Sequence, residues 1–331
     1  MIASVAFRNF KALRNTQLTL RPCNVVIGPN GSGKTSLIQA LLQLRTLARL
    51  APAGPVAAAT KHHPGSPEID FRFIPPYEAL SAHLACVSDA ACDAIEVAPA
   101  DAPAWPRLRE RIGGIRAFLL DHYAMAVPSD RSTGAELASN GANLAAVLAT
   151  LHSAHVDAFQ RLEAELVRLL PEFSGIVFNH PTPTSVELCL RLRGEDRMVT
   201  AEGLSQGILH FLAIMVLAFH PTPPTCVCME EVDRGIHPRL LRVVRDLLYR
   251  LSYPESQGLA QAPVQVIATT HSPYLLDLFR DHPEEIVISH KSGNAARFEN
   301  LGDRKDLAAL LEEGSLGDIW FSGILGGVPE E

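Results

Sequence analysis

Apolar and polar residues alternate along the opening "IASVAFRN" and, after a turn, again in "TQLTL", the period-two pattern of half-buried strands. "NVVI" (24–27) is a short β-branched apolar run, and "SLIQALLQLRTLARL" (36–50) repeats apolar residues at helical spacing. Residues 51–67, rich in Pro, Gly and Ala, predict an irregular connection. Between about 76 and 175 the pattern is mostly helical, most clearly in "NLAAVLATLHSAHVDAFQRLEAELVRLL", whose heptads are too brief for a long coiled-coil arm. Strand patterns return at "GIVFN" and "SVELCLRLR". A strongly apolar helix, "LSQGILHFLAIMVLAF", then precedes three more strands, "TCVCM", "VQVIATT" and "EIVISHK". Helices at 238–251 and 273–280 separate those three.

Strands alternating with helices imply an α/β fold on a mixed or parallel sheet, with the helical block inserted into it. The division this predicts is an N-terminal lobe at 1–75, a helical insert at 76–175 and a C-terminal lobe at 176–331. A chain of 331 residues suits one large domain or two moderate ones. With 47% hydrophobic and 20% charged residues, it reads as globular and not disordered. No apolar run approaches the roughly 18 residues that cross a membrane. The start, "MIASVAFRNFKALRN", lacks the basic-then-apolar order of a signal peptide, so a cytoplasmic protein without membrane contact is expected. The net charge of −7 argues against a wholly basic nucleic-acid binder and leaves room for a local basic patch. The six cysteines contain no C-x-x-C pair, and buried thiols are expected in preference to a metal site.

The candidate chemistry begins directly after "NVVI". Gly28-Pro29-Asn30-Gly31-Ser32-Gly33-Lys34-Thr35 fits G-x-x-x-x-G-K-[ST] at every fixed position, between a strand and a helix. Glycines in such a loop let backbone N–H groups turn inward around phosphate oxygens, and the following helix aims its positive end at the same anion. Lys34 would reach the β- and γ-phosphates and the Thr35 hydroxyl would ligate Mg²⁺. The contact set expected for ATP is therefore Asn30, Gly31, Ser32, Gly33, Lys34, Thr35 and Ser36.

A metal held there needs a carboxylate from a neighbouring strand, and hydrolysis needs a base for the attacking water. "TCVCMEE" offers Glu230 for the metal and Glu231 for the water, which also explains why two like charges stand side by side. "VIATTHSP" ends a strand in His271, suited to a γ-phosphate or the water. "GLSQGILHF" sets Ser205, Gln206 and Gly207 at a helix start, where an anion is favoured.

In this order the motifs resemble the ABC-type ATPase heads of the RecF/SMC superfamily. More closely, the chain is similar to the bacterial OLD-like AAA ATPases, the group that includes the PtuA-type ATPases of anti-phage systems. The likeness also rests on "VAFRNFKALRNTQLTL", "SNGANLAAVLATL", "MEEVDRGIHPRLL", "TTHSPYLLDLF" and "GSLGDIWFSGILGG". The resemblance implies an ABC-type head that hydrolyses ATP with Mg²⁺ as a head-to-tail homodimer. In it, Ser205 and Gly207 form the signature that meets ATP bound by the other subunit, Asp233 follows the catalytic glutamate and His271 is the switch histidine. Gln206 stands where relatives often carry Asp or Gly, and "EEVDRGIHP" replaces the commoner "EEPENGLHP". A metal-contacting Gln is expected between the loop helix and the insert and has no evident counterpart; His62 and His63 read as an exposed loop pair in preference to a stand-in for it.

OLD-type nucleases carry a nuclease domain after the ATPase, and only 60 residues follow His271 in this sequence. The expectation is an ATPase without a nuclease domain of its own that regulates a partner effector, such as an HNH-type nuclease, in anti-phage defence. The alternatives are a RecF-like repair ATPase clamping DNA and a nucleotide-sensing scaffold. The arginines of "RLLRVVRDLLYR" read as a solvated face in preference to a phosphate-contacting one.

Overall fold

A computed structural model describes residues 1–50, 63, 65–100 and 102–326. Its strands are β1 (Ile2–Phe10), β2 (Leu13–Thr19), β3 (Cys23–Ile27), β4 (Glu68–Phe73), β5 (Ser81–Ser88), β6 (Ala91–Ala98) and β7 (Ile115–Phe118). They continue with β8 (Ser129–Asp130), β9 (Phe173–Asn179), β10 (Ser185–Leu192), β11 (Met198–Thr200), β12 (Cys226–Met229), β13 (Gln265–Thr269), β14 (Ile286–Ser292) and β15 (Ala295–Asn300). The chain divides into two compact units. The first holds Met1–Ala117, Thr225–Met229 and the residues from Val264 onward; the second holds Phe118–Pro224 and Glu230–Pro263.

The first unit is built on one mixed sheet in the order β6-β5-β4-β1-β2-β15-β14-β3-β13-β12-β7. Its middle is parallel: β14 and β13 flank β3, and β12 lies beyond β13, all running the same way. Strands so placed are covered on both faces and read as unbroken apolar runs, and every residue of β3, β12 and β13 is buried. One wing, β1, β2, β4, β5 and β6, is antiparallel and shows the alternation expected of a sheet with one wet face. The helix Lys34–Arg49 lays Leu37, Leu41 and Leu44 into a core shared with Val5, Phe7, Phe71 and Leu84. Truncating such a leucine to alanine costs about 2–5 kcal/mol.

The second unit packs helices around a small sheet of β11, β10 and β8, with β9 also paired to β10. The helix Gln206–Phe219 buries every residue from Leu209 to Ala218, so it is apolar all round and forms the centre of that unit. Leu144–Ala154 buries its first five residues on all sides, whereas Val156–Leu169 and Pro238–Ser252 show the one-sided burial of amphipathic helices.

The α/β fold with a mixed sheet is as the pattern implied, but the boundaries differ. The stretch 76–175 is not one helical insert: β5 and β6 extend the large sheet, and the second unit begins at Phe118 and takes in residues assigned to the C-terminal lobe. Among the cysteines, Cys23, Cys189, Cys226 and Cys228 are buried thiols as expected. Cys86 and Cys92 instead face each other across the β5–β6 hairpin and are joined by a disulfide. Among the described residues no helix is long and apolar enough to cross a membrane.

Candidate nucleotide site

In the first unit the phosphate motif forms the turn from β3 into the helix Lys34–Arg49. Gly28, Gly31 and Gly33 hold φ of 146°, 73° and 100°, values an L side chain rarely adopts. Space forbids a side chain as well. A β-carbon on Gly28 would lie 2.3 Å from the Ser289 carbonyl oxygen, and one on Gly33 would lie 2.8 Å from Leu13. The pattern's glycines are therefore required twice, by backbone angle and by packing.

Lys34 is buried and turns its ammonium back over the loop, donating to the carbonyl oxygens of Gly28 at 2.7 Å and Pro29 at 2.9 Å. Its charge thus sits against the backbone of the loop. Ser32 and Ser36 are buried, whereas Asn30, Gly31 and Thr35 face outward. The Ser32 hydroxyl is buried with no hydrogen-bond partner. Amides, an ammonium and an outward threonine hydroxyl are the donor set a Mg²⁺-bound triphosphate requires, and the residues present fit that group.

His271 comes next to this loop through the sheet. β13 pairs with β3 at Thr269 and Val26, the Thr270 N–H donates to the Val26 carbonyl, and His271 follows at the level where the loop begins. It is exposed.

In the second unit, Glu230 follows the end of β12, its N–H donating to the Phe118 carbonyl at 3.0 Å. Glu231 adopts φ 50°, and its carbonyl accepts from the Arg234 N–H at 2.9 Å. Arg234 also brings its guanidinium to 3.6 Å from the Glu231 carboxylate, both side chains half-exposed. Asp233 closes the next turn, its carbonyl accepting from Ile236 N–H, and His237 caps the helix Pro238–Ser252.

This loop is in backbone contact with the start of the helix Gln206–Phe219. Ser205 caps that helix by accepting from the Ile208 N–H. A β-carbon on Gly207 would lie 2.1 Å from the Gly235 carbonyl oxygen, and Gly235 meets the Gln206 side chain from the other side. Gly207, expected from its motif, thus has a packing role that the sequence did not reveal. One turn on, His210 is buried and its Nε2 has no partner. Burial, reinforced by the Arg234 charge, pushes its pKa down to about 4, against a hydrogen bond to the Arg234 backbone that works the other way. Through that hydrogen bond the ring links the helix Gln206–Phe219 to the loop carrying Glu231.

Other candidates fall elsewhere. His62 lies outside the described residues, and His63 is exposed. Of the arginine face, Arg250 bonds the Ala218 carbonyl and covers the Phe219 ring, and Arg245 pairs with Asp246, so these two are not simply solvated. Among the described residues no cluster of three or more His, Cys, Asp or Glu could hold a metal.

Comparison with known proteins places the chain among AAA ATPase domains. Residues 109–277 match the family described as "AAA domain, putative AbiEii toxin, Type IV TA system", and residues 1–61 match an AAA ATPase domain. An OLD nuclease of Thermus scotoductus is 23% identical over 94% of this chain and 68% of its own length. Among solved structures, an SMC head bound to the C-terminal winged-helix domain of ScpA superposes with a TM-score of 0.62 and 14% identity, covering 93% of this chain and 99% of that one. An SMC head with an extended coiled coil, bound to the C-terminal domain of ScpA derived from Pyrococcus furiosus, gives 0.53 at 14% identity, covering 94% and 98%. These superpositions concern the fold.

Proposed function

The chain belongs to that AAA domain family as an OLD- and SMC-like AAA ATPase, and from this premise we propose that it binds and hydrolyses ATP and pairs two heads around it. The observation that carries the reading is the phosphate loop, with three glycines at positive φ and Lys34 folded over its carbonyls.

In this reading the loop amides hold the phosphates, and Lys34 exchanges its two carbonyl partners for the β- and γ-phosphate oxygens. Thr35 and Glu230 would be the ligands of Mg²⁺, which when bound would neutralise charge developing on the phosphate oxygens. Glu231 orients the attacking water and accepts its proton, while His271 senses the γ-phosphate. Ser205 and Gly207 meet the nucleotide of a second copy. The energy of turnover goes into opening and closing that pair, and a partner effector reads the motion, in keeping with a role in anti-phage defence. Nuclease chemistry would then belong to the partner.

Nucleotide titration by calorimetry tests the premise. The intact chain should bind Mg-ATP, and Lys34→Ala should bind it at least tenfold more weakly, since it loses a charge-assisted contact to two phosphates. Equal affinity in the two proteins would remove the phosphate loop from the account.

A further inference from the structure

We propose that Lys291 is a second cation of the phosphate loop, placed to hold the α-phosphate and sugar side of a bound nucleoside di- or triphosphate. The inference deepens the nucleotide reading above and rests on it.

The sheet brings Lys291 there. β3 has two parallel neighbours, so the ends of β13 and β14 emerge on the same side as the loop, where parallel α/β sheets take their ligands. β14 stays in register with β3 through Ile288 and Ile27, and its next residues run alongside the loop itself. Residues two apart on a strand share a face. Ser289 turns toward the loop, its hydroxyl donating to the Ser32 carbonyl. Lys291 follows on that face, its ammonium 3.4 Å from where a β-carbon on Gly31 would be. His290, between them, points the other way and pairs with Glu299 at 2.6 Å.

Charge supplies the second observation. Lys291 is exposed, and among the described residues it forms no ion pair. Lys34 sits on carbonyl oxygens of the same short loop. Two ammonium groups beside one short loop repel each other until an anion comes between them. A polyphosphate is the anion such a loop accepts.

Strand order decides which end of the nucleotide Lys291 meets. β13, ending before His271, and β12 beyond it lie on one flank of β3; β14 lies on the other. With the γ-phosphate toward His271, Lys291 stands on the opposite flank, beside groups that ATP and ADP share.

The test is a set of titrations with Mg-ATP and Mg-ADP on the wild-type chain, Lys291→Met, Lys291→Arg and Lys34→Ala. Lys291→Met should weaken both nucleotides by a similar factor of about five to ten, leaving the ATP-to-ADP ratio unchanged. Lys291→Arg, which keeps the charge, should stay within twofold of wild type. The thermal midpoint should not move, because the side chain is exposed. Unchanged affinity in Lys291→Met, or a loss confined to ATP, overturns the inference while leaving the nucleotide site intact. If the wild-type chain binds neither nucleotide, the nucleotide reading itself falls, and this inference with it.

Discussion

Glu231 carries two features that its position in a motif does not reveal. Its φ of 50° places a non-glycine residue in the left-handed region, a cost of about 1–3 kcal/mol that the surrounding turn must hold. Its carboxylate lies 3.6 Å from the Arg234 guanidinium. A half-exposed pair of this kind is worth at most about 1 kcal/mol, so it does not keep the carboxylate from a water. Glu231→Gln should therefore keep nucleotide affinity and slow phosphate release by roughly a hundredfold or more, the usual loss when a general base goes. Glu230→Gln should instead raise the Mg²⁺ concentration needed for half-maximal release. Wild-type turnover in Glu231→Gln would show that another group activates the water. At this scale the phosphate loop was legible because glycine at fixed spacing marks a backbone that L side chains rarely adopt and a packing that leaves them no room. Lys291 was not, since Ser289 and Ser32 touch across 257 residues of chain and no local pattern marks such a neighbour.

Among the elements, the helix Gln206–Phe219 and the loop after Glu231 behave as one joint. In an isolated helix, replacing glycine by alanine favours the helix by about 1 kcal/mol. Gly207→Ala would bring a β-carbon within 2.1 Å of the Gly235 carbonyl oxygen, and overpacking typically costs about 1–3 kcal/mol. The clash should win, so Gly207→Ala lowers the denaturant midpoint; a raised midpoint would mean that the two backbones are not held together. His210 adds a pH dependence. Its folded pKa of about 4 lies below its usual 6.5, so the unfolded chain binds the extra proton between those values. The stability that its neutral burial contributes is present above pH 6.5 and is lost as pH falls toward 4. Melting should drop between pH 7 and pH 5, and drop less in His210→Gln. Equal drops in the two proteins would assign the dependence to other groups. The strands β5 and β6 escaped the sequence pattern because Ala, Ser and Cys give little contrast between buried and exposed positions, as in "SAHLACVS" and "ACDAIEVA". β15 left a signal in Gly293, whose φ of 56° makes the hairpin turn after β14.

For the whole molecule, the two compact units each carry part of the motif set: the phosphate loop and His271 in one, the Ser205–Gly207 helix start and the Glu231 loop in the other. That division was hidden in the sequence because the second unit is formed from two separated stretches, and no composition shift marks the return at Glu230. If two heads close around ATP, Glu231→Gln should sediment as a dimer with Mg-ATP and as a monomer without it, while Lys34→Ala stays monomeric under both conditions. The purified chain should leave plasmid, single-stranded DNA and RNA intact with ATP and Mg²⁺ or Mn²⁺; cleavage that disappears in Lys34→Ala would place a nuclease on this chain. The most direct measurement of the central claim is steady-state phosphate release from Mg-ATP by the wild-type chain beside Lys34→Ala. The account predicts Mg²⁺-dependent release by the first and none above background by the second. Release at equal rates from both, or from neither while ATP is bound, would contradict it.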